Sequence, residues 1–154
     1  MSNSVPLRRK TFTSHLLVTL QFTAIVIIAW PFAVESAVRL EWLSFSALGA
    51  IVGLYTLAHN KLGNFGIYPE PIPDACLVTT GPYHWIRHPM YTSLLLFMLG
   101  IALYHHAWPN YVGYGLLCAA IFGKMQREEA HLHLKFEDYS TYVDRTHRLI
   151  PKIY

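Results

Sequence analysis

Four long apolar runs, separated by polar segments, dominate the pattern of this 154-residue chain. They cover residues 15–34, 40–58, 89–104 and 110–123. The first run supplies roughly the 20 apolar residues that a helix needs to cross the hydrocarbon layer of a membrane. Trp42 lies near an end of the second run, where interfacial aromatic residues are expected. The pattern predicts an all-α, polytopic membrane protein with four transmembrane helices.

Small residues and a proline refine this prediction. Pro31 should kink or end the first helix, because proline removes a backbone donor and clashes with the preceding turn. Gly49 and Gly53 are four residues apart in the second run, a spacing that permits close helix approach. Gly113 and Gly115 are further candidate contact sites in the fourth run.

Residues 59–86 are rich in glycine, proline and asparagine and therefore predict a long loop rather than a helix. The chain then reads Arg87, His88, Pro89, and proline is favoured in the first turn of a helix. A third helix should begin at His88 or Pro89, with its positive dipole end beside Arg87, His88 and Tyr91. This arrangement suits an anionic or mixed-charge ligand, although the same side chains could serve only as interface anchors.

The polar pattern changes again after Lys124, where apolar and charged residues alternate with a helical period up to about residue 142. This C-terminal amphipathic helix is either the fourth helix continuing out of the membrane or an interfacial helix folding back. With 53% hydrophobic and 14% charged residues, the chain is predicted to be one integral membrane domain. Residues 1–58 would form two N-terminal spans and residues 59–154 a functional half.

Charge placement predicts the topology. Four spans bring both termini, the 59–86 loop and the C-terminal tail to one side, together with every lysine and arginine of the 12 except Arg39. The positive-inside rule makes that side the cytoplasm. The basic residues form no stripe with exposed aromatics, so no nucleic-acid partner is predicted. The predicted location is the bacterial inner membrane, with multiple passes and the functional face toward the cytoplasm.

Glu128 and Glu129 lie where the fourth helix leaves the membrane, and carboxylates there need water, a cation or a ligand hydroxyl. A solvated helix surface is the simplest interpretation. Together with Arg87 and His88, however, the carboxylates would make a site with both signs of charge, which suits a zwitterionic ligand.

Nine histidines raise the alternative of a metal site, and Glu128-x-x-His131 has the spacing found in di-iron helices. His105 and His106 would lie across the membrane from the other candidates, and Glu-x-x-His occurs once. Cys76 and Cys118 are far apart and suggest neither a disulfide framework nor a zinc site. No metal is therefore predicted, and a membrane di-iron hydroxylase is the less favoured alternative.

Several motifs follow one another in the second half of the chain: Leu77-Val78-Thr79-Thr80-Gly81-Pro82-Tyr83, Arg87-His88-Pro89-x-Tyr91, Glu128-Glu129-x-x-Leu132, Phe136-x-x-Tyr139-x-x-Tyr142 and Arg148-Leu149-Ile150-Pro151. In order and spacing they resemble the C-terminal half of integral-membrane methyltransferases related to isoprenylcysteine carboxyl methyltransferase and phospholipid N-methyltransferase. The resemblance covers about residues 60–151.

The resemblance implies S-adenosylmethionine as methyl donor, bound between the 59–86 loop, the start of the third helix and the Glu128-Glu129 segment. The cofactor-binding residues that it implies are Leu77, Val78, Gly81, Tyr83, His88, Pro89, Tyr91, Glu128 and Glu129. The residues that it implies for catalysis, near the methyl acceptor or in a lid, are Arg87, Glu128, Arg145 and Arg148.

The predicted function is therefore methyl transfer at the cytoplasmic membrane face to a lipophilic or small acceptor with a carboxylate, thiol or amine group. A carboxylate acceptor would need no base, whereas a thiol or amine would need deprotonation. Membrane lipid is an expected partner, and the oligomeric state is left open. The main alternative is a non-catalytic membrane binding or assembly protein that keeps the same fold.

Overall fold

The computed structural model describes residues 10–32, 39–60, 64, 66–73 and 75–154. These residues form five α-helices: α1 (Phe12–Ala29), α2 (Leu43–His59), α3 (Pro89–His105), α4 (Trp108–Lys135) and α5 (Tyr139–Asp144). Short 3-10 turns at Leu40–Trp42 and Gly81–His84 precede α2 and α3. The described part contains no strand, only an isolated parallel bridge between Ile86 and His147. The all-α prediction is confirmed.

Local signals account for the helix boundaries. Pro89 is the first residue of α3, as predicted, and His88 is its N-cap. The first helix begins earlier than the predicted residue 15, because the side chain of Thr11 caps it by accepting a hydrogen bond from the Ser14 amide. It ends at Ala29, shortly before Pro31, and the last part of the predicted run, residues 33–34, lies outside the described residues.

The fourth helix is a single element of 28 residues, about 42 Å long at 1.5 Å per residue. Its second half carries the amphipathic pattern, so of the two predicted alternatives the structure has the first, a fourth helix that continues beyond its apolar part, and not a separate interfacial helix. The helix continues out of the apolar segment, because no glycine or proline interrupts it between Gly123 and Lys135. Only the six-residue α5 follows it in the described chain.

The bundle pairs α2 with α3 and α1 with α4, and α3 also contacts α1 and α4. Small residues make the α2–α3 contact close, as predicted for Gly49 and Gly53. The Ser93 hydroxyl donates to the Gly49 carbonyl at 2.8 Å, and the Ser46 hydroxyl donates to the Phe97 carbonyl at 2.8 Å. Glycine and serine thus let two backbones approach and satisfy their own polar groups on the partner helix.

On α4 the two glycines behave differently. A Cβ added at Gly113 would lie 2.9 Å from the side chain of Ile27 on α1, whereas one at Gly115 would meet nothing within 4 Å. Two residues correspond to a rotation of about 200° around a helix, so only one of the pair can face α1. The predicted contact role of Gly115 was wrong.

The apolar core lies between α1, α3 and α4 and consists of Ala24, Ile28, Ala102, Leu117, Ile121 and Met125. The buried Asn110 at the start of α4 hydrogen-bonds to the C-terminal end of α1. Its amide nitrogen donates to the carbonyls of Ile27, Ile28 and Trp30 at 3.1, 2.9 and 2.9 Å. These carbonyls lie at the C-terminal end of α1, where helix carbonyls lack partners further along the helix.

Two helical segments are long and apolar enough to cross a membrane, Phe12–Ala29 with mean hydropathy 1.8 and Leu40–His59 with 1.4. Only 22% of each apolar window is buried inside the molecule. Large side chains such as Val26, Ile51 and Leu54 are more than half exposed. A core helix of a water-soluble domain would bury such residues, so this surface is suited to lipid.

The close α2–α3 contact predicts a difference between two otherwise similar substitutions. Gly49→Ala would place a Cβ 2.5 Å from the Phe97 backbone nitrogen, so the helices must separate, and we expect a loss of about 1–3 kcal/mol in the free energy of unfolding. Gly115→Ala has open space and should be neutral or stabilise by up to about 1 kcal/mol. Thermal unfolding in detergent measures both, and a Gly49→Ala protein that melts at or above the wild-type temperature would contradict this packing.

Candidate functional site

A cleft opens at the end of the bundle where α3 begins and α4 ends. Its cavity volume is about 150 Å³, and its empty space, including the part open to solvent, is about 920 Å³. The 66–73 and 75–78 segments form one wall, and the starts of α3 and α5 and the last turns of α4 form the rest. The lining combines apolar, aromatic and charged side chains.

The long loop is fixed to its surroundings by side chains. The Asn64 amide donates to the Cys76 carbonyl and accepts from the Cys76 nitrogen, both at 3.0 Å, so that its side chain closes the loop. The ammonium of Lys135 on α4 donates to the carbonyls of Ile72 and Pro73 at 2.7 and 2.8 Å. Glu70 accepts a hydrogen bond from the Ser14 hydroxyl of α1. The described part of this loop is thus fixed against α1 and α4.

The carboxylate of Glu129 is the centre of a buried polar cluster behind the cleft. One oxygen accepts from Arg87 Nε at 2.9 Å and from His88 Nε2 at 3.2 Å. The other accepts from Arg148 Nε at 3.0 Å and Nη2 at 2.8 Å, which is a two-point contact with one guanidinium. The side chain of Glu129 is only 10% exposed. Both of its oxygens are therefore occupied by protein donors.

This environment holds the Glu129 carboxylate in its charged form. Burial alone would raise its pKa, but the hydrogen bonds from His88, Arg148 and Arg87 outweigh burial and lower the pKa from the ordinary 4.5 to about 2. The same contact, aided by a bond to the Tyr154 hydroxyl, raises the pKa of Arg148. Because Glu129 is ionised and can only accept, the ring nitrogen Nε2 of His88 carries the proton in this contact.

The neighbouring carboxylate, Glu128, has a different environment. Its side chain is 31% exposed and lines the cleft, and it accepts one hydrogen bond, from the Tyr91 hydroxyl at 2.8 Å. His88 Nδ1 lies 3.9 Å from the same Glu128 oxygen, so the imidazole stands between the two carboxylates. Of the pair, Glu128 is the carboxylate with capacity for a ligand.

The C-terminal tail packs against the segment just before α3. The His147 amide donates to the Trp85 carbonyl at 3.0 Å, and the amides of Arg87 and His88 donate to the carbonyls of His147 and Arg148 at 2.7 and 3.0 Å. We expected the backbone donors at the start of this helix to face a ligand. The His88 amide is instead paired with the tail and Pro89 has no N–H, so the amides of Met90 and Tyr91 are the first-turn donors that remain for a ligand.

Tyr83 also borders the cleft. Its hydroxyl accepts a hydrogen bond from Asn60 Nδ2 at 3.1 Å, and burial together with the nearby Glu128 charge raises its pKa to about 12. A phenol with that pKa stays protonated at neutral pH. Tyr83 can therefore donate a hydrogen bond but is a poor base, which leaves His88 or water for that role.

The sequence-predicted residues lie in four places. Eight of them line the cleft: Leu77, Val78, Tyr83, Arg87, His88, Pro89, Tyr91 and Glu128. Glu129 and Arg148 form the cluster behind it, and Gly81, at φ +60°, packs against His59. Arg145 lines a smaller cavity nearby. Their individual roles in binding or catalysis remain predictions.

Sequence reasoning did not select Asn64, Glu70 or Tyr139, which also line the cleft. Tyr139 is 1% exposed, and its hydroxyl has no hydrogen-bond partner among the described residues. The pairing of Asn64 with Cys76 joins positions 12 residues apart and leaves no local signal. Tyr139 lay within a motif of the resemblance, but its burial depends on the fold of α5 against α4.

No group of three histidine, cysteine, aspartate or glutamate side chains within the described ranges is arranged to hold a metal ion. The absence of a metal requirement stays a prediction.

A family model for phospholipid methyltransferases matches residues 41–139, which is more than half of the chain. The matched range includes the Arg87-His88 and Glu128-Glu129 segments. The chain belongs to the phospholipid methyltransferase family, a family of membrane methyltransferases, and the resemblance is confirmed. A search of the curated proteins found no match.

The lowered pKa of Glu129 predicts how stability depends on pH. A carboxylate whose pKa is lower in the folded than in the unfolded protein stabilises the fold above the unfolded pKa, near 4.5, and loses that contribution as pH falls toward 2. The full contribution is on the order of 3 kcal/mol. Glu129→Gln should therefore be less stable than the wild type at pH 7, and the difference should shrink between pH 4.5 and 2.

Chemical unfolding in detergent across this pH range measures the difference. Glu128→Gln is the matched control, because Glu128 is more exposed and its carboxylate holds a single hydrogen bond. It should unfold close to the wild type at neutral pH. Equal losses from the two variants would show that the Glu129 cluster does not stabilise the fold in the proposed way.

Proposed function

We propose that the chain transfers a methyl group from S-adenosylmethionine to a lipophilic acceptor, most simply a phospholipid amine, at the cytoplasmic face of the membrane. The observation that carries the proposal is the contrast between the two adjacent carboxylates. Glu129 is saturated by protein donors, whereas Glu128 faces a cleft with apolar and aromatic walls. A partly exposed carboxylate beside Tyr91 suits a cofactor that carries a positive charge and a ribose diol.

The lining fits such a cofactor in other respects. Leu77 and Val78 supply an apolar wall suited to a purine ring. The buried Tyr139 hydroxyl lines the cleft and has no partner within the described chain, and a buried polar atom of this kind is expected to bind a ligand. When bound, S-adenosylmethionine supplies an electrophilic methyl group on a positively charged sulfur. We assign cofactor binding mainly to Glu128, Tyr91, Leu77, Val78 and Tyr139.

The Glu129 cluster supports this site from behind. Glu129 orients Arg87 and His88, and Arg87 Nη1 donates to the carbonyls of Val143 and Thr146. No side-chain or carbonyl acceptor in the described chain pairs with Arg87 Nη2, and Arg87 lines the cleft. We therefore propose that Arg87 donates to the methyl acceptor, while Glu129 is a positioning residue rather than a cofactor ligand.

An amine acceptor must lose a proton before it can attack a methyl group. His88 is the candidate to receive it, because its Nδ1 faces Glu128 at the cleft and its Nε2 is fixed by Glu129. The apolar outer surface of the bundle would let a lipid acceptor approach from within the bilayer. A soluble cofactor would enter from the aqueous side, at the open part of the cleft.

We further propose four crossings, with both termini in the cytoplasm. In support, the end of α2, the start of α3 and the end of α4 all border the cleft, as four antiparallel crossings require. α3 is an apolar helix of 17 residues, and α4 adds an apolar first half. The arginine and lysine partition gives the orientation.

Cofactor binding provides the test of the proposed function. Calorimetric titration of S-adenosylhomocysteine, the demethylated cofactor, into purified protein should show binding. Glu128→Gln should weaken it by roughly 10- to 150-fold, because a charged hydrogen bond contributes about 1.5–3 kcal/mol. The matched control is Glu41→Gln, the same change at the opposite end of the bundle, which should have no effect.

Methyl transfer is measured in parallel with methyl-labelled S-adenosylmethionine in bilayers that contain phosphatidylethanolamine. Label should enter the lipid. A wild-type protein that binds no demethylated cofactor and transfers no label would favour the non-catalytic alternative. Wild-type affinity in Glu128→Gln would refute the assignment of Glu128.

The topology is tested by cysteine labelling in intact cells, in a background where Cys76 and Cys118 are replaced by serine. A membrane-impermeant maleimide should modify His106→Cys but leave Lys152→Cys unmodified until the cells are opened, because His106 follows α3 and Lys152 lies in the tail. The reverse pattern of labelling would contradict the proposed orientation.

A further inference from the structure

A second, smaller cavity lies beside the cleft. It has a volume of about 110 Å³ and is lined by Thr79, His84, Tyr142, Arg145 and Thr146. A space of this size has room for several waters or for one tetrahedral oxyanion. Its walls are polar and include a guanidinium, an imidazole and three side chains with hydroxyl groups.

Two hydroxyl groups of this cavity are used by the protein itself, because those of Tyr142 and Thr146 donate to the carbonyls of Tyr83 and Tyr142. The donors of Thr79, His84 and Arg145 are not used in this way, and the side chains of His84 and Arg145 are exposed at the surface. Within the described ranges, no hydrogen bond or ion pair involves the Arg145 guanidinium, the Thr79 hydroxyl or the His84 ring nitrogens, and the His84 ring contacts only that of Trp85. The other arginines of this end of the bundle differ. Arg87 and Arg148 pair with Glu129, and Arg127 donates to the Thr11 hydroxyl.

The chemistry of these donors selects a class of ligand. A guanidinium fork matches two oxygens of a phosphate, and imidazole and hydroxyl donors can bind the remaining ones. No acidic side chain among the described residues lines the cavity, so an anion meets no repulsion from these walls. A cation would be repelled, because the charged side chain in this lining, Arg145, is positive.

The position of the cavity links it to the cleft and to the membrane surface. Tyr142 lines both spaces, and its hydroxyl donates to the Tyr83 carbonyl at 2.7 Å, which fixes it as the partition between them. Trp85, next to His84, is 55% exposed, and Ile150 in the tail is 48% exposed. Exposed tryptophan beside exposed aliphatic residues is typical of the headgroup level of a bilayer.

We propose that Arg145, His84 and Thr79 form a binding site for a phosphate group, and that the phosphate is the phosphodiester of the phospholipid whose headgroup enters the adjoining cleft. The second half of this inference rests on the proposed function. The first half does not, because the anion site can be measured without a methyl donor.

The test is calorimetry on the full chain in a phosphate-free maltoside detergent, with no methyl donor present. The probes are glycerophosphoethanolamine, which is the lipid headgroup with its phosphodiester, inorganic phosphate and ethanolamine. We expect glycerophosphoethanolamine to bind and ethanolamine not to. Arg145→Gln should weaken binding of the headgroup roughly 10- to 100-fold, and Arg145→Lys by less, because it keeps the charge but loses the fork.

Arg39→Gln makes the same charge change at the opposite end of the bundle and should leave headgroup affinity unchanged. Thermal unfolding and binding of S-adenosylhomocysteine establish that the Arg145 variants are folded. Headgroup affinity in Arg145→Gln within twofold of the wild type, or no binding of any phosphate-bearing probe, would overturn the site. Inorganic phosphate that binds more tightly than the headgroup would overturn its assignment to a lipid.

Different results would refute the phosphate site and the proposed methyl transfer to a phospholipid. If headgroup binding depends on Arg145 but labelled methyl never enters phosphatidylethanolamine, the anion site stands and the proposed acceptor is wrong. If label enters the lipid with an unchanged acceptor KM in Arg145→Gln, methyl transfer stands and the phosphate site is refuted. The expected result is a raised acceptor KM, with the KM for S-adenosylmethionine close to the wild-type value.

Discussion

The contact between Glu129 and its three donors is the interaction on which the rest of this structure depends. An unpaired carboxylate in a nearly dry site would cost several kcal/mol, whereas one that accepts from two guanidinium groups and an imidazole is stable in its charged form. The donors come from different parts of the chain: Arg87 and His88 precede α3, and Arg148 lies in the tail. Glu129 thereby joins α4 to the segment before α3 and to the tail behind the cleft, and the tail also pairs its backbone with residues 85–88.

Adjacent residues on a helix point about 100° apart, and this rotation gives the two glutamates different environments. Glu129 faces the junction and is closed to solvent, whereas Glu128 faces the cleft and holds one hydrogen bond from Tyr91. The Glu129 cluster thus supports the neighbouring Glu128, whose carboxylate can accept further hydrogen bonds. His88 lies between the two glutamates. Catalytic groups commonly need such a fixed support, because small displacements of a reacting group are costly. In the proposed function, stability comes from Glu129 and ligand recognition from Glu128.

Local chemistry made much of the fold predictable. The apolar runs gave the four long helices, Pro89 gave the start of α3, and the spacing of Gly49 and Gly53 gave a close contact. The grouping of the site residues was predictable, because four antiparallel helices bring these helix ends to one end of the bundle. Its internal pairing was not. Which glutamate would be closed by arginine depends on the rotation of α4 against α3 and on the course of the tail, and neither has a local signal in the sequence.

The most direct measurement of the central claim is an experimental structure of the protein with S-adenosylhomocysteine bound. The account predicts that the ligand occupies the cleft, with Glu128 in hydrogen-bonding contact and with Glu129 still held by Arg87 and Arg148. A ligand bound elsewhere, or a Glu129 carboxylate released from both arginines to contact the ligand, would contradict the division of roles between the two glutamates.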